Sequence, residues 1–327
     1  MSHMLYQKDT MFSVRETPWH GLGTVLGAAP SVSEAIKTAG LDWTVETRPV
    51  YDATGKVMPA LAMFRNDDNS VLGVVGPNYS PLQNSEAFDF FQPFLDNGVA
   101  ELETAGSLQN GRKIWVLAKI KNTTQDVVGG DPVNAYVLLS NSHDGTLAVR
   151  TGFTPIRVVC NNTLSAAIRK GRSPMLRIRH VGKVADTLAA VQETMNLATQ
   201  QFEASIEQYR MLASKPITTA DLNEYIKVVF ATKSQKEAME NEDMVVEELN
   251  SGRKVAEEIT GFFESGRGND MPGVRGTYWA AYNAVNEYLN YSSGRSDDTR
   301  LASLWFGPNQ NRNKEALKVA LTMAGNE

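Results

Sequence analysis

The hydrophobic pattern changes period once along this chain. Up to about residue 160, apolar positions alternate in short runs cut by turn residues; beyond about residue 184 they recur every three or four positions. Trp43, Val45 and Thr47 alternate with Thr44, Glu46 and Arg48, the period-two signature of a half-buried strand. Asp52-Ala-Thr-Gly55 turns that strand into a second over Val57 to Phe64, and Asn66-Asp-Asp-Asn-Ser70 turns the second into a third over Val71 to Val75. A short helix precedes this meander. Ser31-Val-Ser-Glu34 is a capping box, Val32, Ala35, Ile36 and Ala39 form the helix, and Gly40 closes it.

A second helix follows, with Asn84 as its cap and Phe88, Phe91 and Leu95 on one face, Pro93 limiting its last turn. Asn110-Gly111 is a hairpin turn joining Val99 to Ala105 with Lys113 to Ile120. A second hairpin joins Asn134 to Ser140 with Leu147 to Thr151 across His143-Asp144-Gly145, and Phe153 to Val159 reads as one more strand. Connections this short imply a mostly antiparallel sheet.

Asn161 or Asn162 caps a short helix through Ala166, Ala167 and Ile168, stopped by Gly171 and Pro174. From Val184 the positions Leu188, Val191, Met195, Ala198, Phe202, Ile206, Tyr209 and Leu212 form one stripe that ends before Pro216. Such a helix is about 45 Å long, and its stripe suits a core face or a subunit contact. Thr218 and Asp221 open another helix over Leu222, Tyr225, Ile226 and Val229. Lys236 to Glu264, with nine acids against three bases, reads as a solvated helical pair or insertion. Two further helices run through Trp279 to Leu289 and Asn313 to Met323. The expected fold is α+β: a sheet domain with packed helices over 1–183 and a helical domain over 184–327.

Hydrophobic content of 42% in 327 residues suits a globular chain. No apolar run approaches the ~18 residues of a membrane span, and no leader opens the sequence, so the chain is expected to stay in the cytosol of the cell that makes it. A single cysteine, Cys160, in an apolar run reads as a buried small hydrophobe. Four scattered histidines give no metal-ligand spacing, so no cofactor is expected.

Charge changes the picture more. Positions 1–144 hold 10 basic and 16 acidic residues, 145–185 hold 8 and 0, and 186–327 hold 14 and 21, giving −6, +8 and −7 within a net −5. The acid-free segment contains Arg150, Arg157, Arg169, Lys170, Arg172, Arg177, Arg179 and Lys183. Such density suits a polyanion held by its phosphates, while aromatics for base stacking are scarce there. The bland alternative pairs these cations with distant acids or leaves them solvated on one helix face and an edge strand.

Catalytic strings do not survive inspection. His143-Asp144 suits a turn tip, Asp144-Gly145 is what that turn needs, Trp19-His20-Gly21-Leu22-Gly23-Thr24 lacks both the strand and the Lys of a phosphate loop, and Gly266-Arg267-Gly268 is too short for one. No nucleophile elbow or zinc-protease helix is present, and the chain is read as non-enzymatic.

Four stretches carry a resemblance: Thr17-Pro-Trp-His-Gly-Leu-Gly-Thr24, Ser140-Asn-Ser-His-Asp-Gly145, Thr154-Pro-Ile-Arg-Val-Val-Cys-Asn-Asn-Thr-Leu164 and Gly276-Thr-Tyr-Trp-Ala-Ala-Tyr-Asn-Ala-Val-Asn-Glu-Tyr288. Together they resemble the uncharacterised phage/plasmid-like protein family, domain of unknown function 932. The resemblance implies a mobile-element gene acting in a bacterial host and carries no catalytic residue. The order short helix, three-strand meander, helix is also similar to the core of single-strand annealing proteins, which hold one DNA strand along its backbone. The expectation is a nucleic-acid-binding protein, for single-stranded DNA, with homo-oligomers and no membrane partner; the competing expectation is a protein that engages a host protein instead.

Overall fold

The computed structural model describes residues 10–14, 23–157, 159, 162–163, 175–178 and 187–325, apart from 242, 250–251, 295–299, 301–302 and 305–306. It is α+β, with sheets in the first half of the chain and helices in the second. The chain forms two compact units that interleave in sequence: unit 1 is Met1–Thr123, Ala135–Phe153 and Ser173–Gln200, and unit 2 is Thr124–Asn134, Thr154–Arg172 and Gln201–Glu327.

Unit 1 holds two sheets. Strands β3 (Val45–Tyr51), β4 (Val57–Arg65) and β5 (Val71–Val75) form the expected antiparallel meander. In the larger sheet, β1 (Met11–Val14) pairs in parallel with β2 (Thr24–Leu26) and antiparallel with β6 (Ala100–Leu108). The order continues from β6 through β7 (Lys113–Ile120), β9 (Pro132–Ser142) and β10 (Val149–Arg157). In unit 2 the two-residue β8 (Gln125–Asp126) pairs with the first residues of β9, and the two-residue β11 (Asn162–Thr163) pairs with the last residues of β10. The β6–β7 turn has Gln109, Asn110 and Gly111 all at positive φ, the left-handed conformation that Asn and Gly accept most readily. The Leu147–Thr151 and Phe153–Val159 strands expected separately are one continuous strand, Val149–Arg157, because Gly152 stays in the ladder opposite Met175.

Helices α1 (Val32–Thr38), α2 (Asn84–Asp89) and α3 (Gln92–Asp96) pack near β6 and β7 over a core of Phe12, Leu41, Phe88, Phe91 and Trp115. Ser31 caps α1, its hydroxyl accepting from Glu34 N at 3.3 Å, which is one half of the expected capping box. On α2 the cap falls one residue earlier than expected. Gln83 precedes the helix, with its N–H donating to the Glu86 carboxylate at 2.7 Å, and Asn84 turns into the core. There Asn84 Nδ2 donates to Leu41 O and Trp43 O, so its Oδ1 is the acceptor for His143 Nε2 at 3.0 Å. His143 meets Trp43 edge-on, and the Arg65 guanidinium lies 4.3 Å from the Trp43 ring centre. Asp67 binds Arg65 through both carboxylate oxygens, and these bonds hold its carboxyl below the usual range.

The long helix α4 (Thr187–Ser214) runs over nearly the span its stripe predicts, and Ala198, Phe202, Ile206, Tyr209 and Leu212 are buried. Unit 2 continues with α5 (Thr219–Phe230), α6 (Lys233–Glu240), α7 (Arg253–Ser265), α8 (Tyr278–Glu287) and α9 (Pro308–Gly325). The acidic stretch is thus a helical pair, α6 and α7. Every residue of α8 is buried, and Tyr209 stacks on Trp279 at 4.8 Å between ring centres. Beside them lies an ion pair, Arg157 Nε to Asp131 Oδ1 at 2.6 Å, with both side chains fully buried. Asp131 Oδ2 accepts from Trp279 Nε1 at 2.8 Å, while the Arg157 Nη atoms donate to Arg267 O, Gly268 O and Asn269 Oδ1. Each charge is surrounded by partners, the condition under which a buried pair is tolerated.

Removing one member leaves a buried charge alone. Asp131→Asn is expected to lower unfolding stability by about 3–5 kcal/mol, read by urea titration of tryptophan fluorescence. The double replacement Asp131→Asn with Arg157→Met keeps an acceptor for Trp279 and removes both charges, so it should be more stable than Asp131→Asn alone. Equal or lower stability of the double variant contradicts this account.

Glu287 supplies a pH-dependent term. Burial pushes its carboxyl above the ordinary value of 4.5, outweighing the Arg267 N–H bond and the charges of Arg267 and Arg157. The folded state therefore holds this proton more tightly than the unfolded chain, and stability falls as pH rises from 4.5 through the raised folded value. Stability measured across this window should lose that slope in Glu287→Gln.

Candidate nucleic-acid interface

The acid-free segment enters the structure through β10. Its nine residues, Val-Arg-Thr-Gly-Phe-Thr-Pro-Ile-Arg, are buried except for Arg150 and Ile156, which are partly exposed. A strand this apolar is covered on both sides for most of its length, and Arg150 marks a place where it reaches outward. In unit 1 it pairs with β12 (Met175–Ile178), and the antiparallel register sets Arg150 opposite Arg177. Neither strand carries an acid. Like charges at facing positions of adjacent strands disfavour the pairing, and a bound anion reverses that preference. The register thus places two arginines at one rung, on strands whose own sequences carry no acid.

Arg157 does not join them. The expectation that it touches phosphate is corrected by its place in unit 2, where it is fully buried and directs its donors to Asp131, Arg267, Gly268 and Asn269. Arg150 and Arg157 are seven positions apart on one strand, and an odd spacing sends their side chains to opposite faces. Of the remaining expected contacts, Arg169, Lys170, Arg172, Arg179 and Lys183 lie outside the described residues, as do the short helix after Asn162, Cys160 and most of the Trp19-His20 motif.

The other strings acquire roles in the fold. Asp144 makes the β9–β10 turn, its Oδ1 accepting from both Thr146 N and Thr146 Oγ1. His143 is more than a turn residue, being a buried partner of Asn84 and Trp43. Gly266-Arg267-Gly268 supplies carbonyls to Arg157. A sequence signal for the Arg157 pair exists: an Arg inside the apolar run Thr154 to Val159 needs a buried carboxylate from elsewhere, though which one is not local information. Among the described residues no cluster of His, Cys, Asp and Glu could hold a metal ion, and no helix is long and apolar enough to cross a membrane.

No curated protein and no solved structure matches the chain. A family model described as Domain of unknown function (DUF932) matches residues 71–315. That span contains the Ser140, Thr154 and Gly276 motifs and the acidic helical pair, and leaves Thr17 to Thr24 outside. It is well over half of the 327 residues, and the chain therefore belongs to the DUF932 family.

Proposed function

We propose that this chain is a non-catalytic nucleic-acid-binding protein of a phage or plasmid, acting in the bacterial cytoplasm, that holds single-stranded DNA by its phosphates through the segment 145–185. The observation that carries the reading is the facing pair Arg150 and Arg177 within a stretch of eight basic residues and no acids, on a chain of net charge −5. With Arg157 withdrawn into the core, seven cations remain: Arg150, Arg169, Lys170, Arg172, Arg177, Arg179 and Lys183. Contacts of this kind neutralise phosphates, release counterions and leave base edges free to pair, which is what an annealing factor requires.

Fluorescence titration with labelled single-stranded oligonucleotides across a salt series tests this. Affinity should fall with salt, with a log–log slope of roughly −0.7 per phosphate engaged. Arg150→Ala with Arg177→Ala should weaken binding by a similar factor for every sequence and reduce the slope by about 1–2. Absence of binding at low salt, or binding that ignores salt, sinks the proposal; a partner captured from nuclease-treated host lysate by such a non-binding chain would then favour host-protein engagement.

A further inference from the structure

We draw no further inference here: the strongest candidate, the outer edge of the three-stranded sheet in unit 1 where Val71 and Val74 of β5 are exposed, carries nothing because nothing in the structure shows what covers it.

Discussion

Unit 2 is organised around a guanidinium and a carboxylate that have left water together. Stripping two ions of solvent opposes folding by several kcal/mol each, and attraction between Arg157 and Asp131 offsets this only because both groups are also hydrogen-bonded to other partners. Asp131 meets Arg157 on one oxygen and the Trp279 indole on the other, and the Arg157 fork reaches two loop carbonyls and an amide oxygen. These bonds tie the turn before β9, the end of β10, the loop after α7 and the first turn of α8 to one point. Hydrophobic burial alone does not prescribe that register, since it tolerates sliding; the fork geometry of Arg157 accepts a single arrangement. Asn269 extends the control by donating to Phe262 O and Ala280 O, fixing the C-terminal end of α7 against α8.

Unit 1 uses the same device with less charge. Asn84 satisfies two backbone carbonyls, which leaves its oxygen for His143 and thereby sets the protonated nitrogen of that ring. Trp43 has the His143 edge and the Arg65 guanidinium against it, and Asp67 orients Arg65 from outside. Gly111, at positive φ, permits this: a Cβ there would come within 2.7 Å of the Trp43 ring. The β6–β7 turn and the β3 entry are therefore matched by one missing methyl group.

Local chemistry is readable from the chain, and long-range pairing is not. The Ser31 cap, the Thr218 box, the Asn110-Gly111 turn and the stripe of α4 depend on residues within a few positions of one another, and each appears where its spacing places it. Asn84 reads as a cap because Asn suits a cap in isolation; three distant groups bind its side chain more fully than a helix end could. β1 is four buried residues with no room for a period, and its parallel pairing with β2 depends on a register that sequence does not carry. The candidate interface is legible as composition only. Charge density identifies the segment, while strand parity and the position of Asp131 decide that Arg157 serves the fold.

This division bears on how a nucleic-acid site here would work. Arg150 and Arg177 share a rung in unit 1. One rung of this kind could hold one strand by its phosphates, whereas annealing would need two strands held with their bases free. A chain acting in that way would therefore need a second rung, from another copy or from other cations of the segment 145–185. A strand engaged at the first would then meet the second at an effective concentration set by their separation, which raises affinity with no new type of contact.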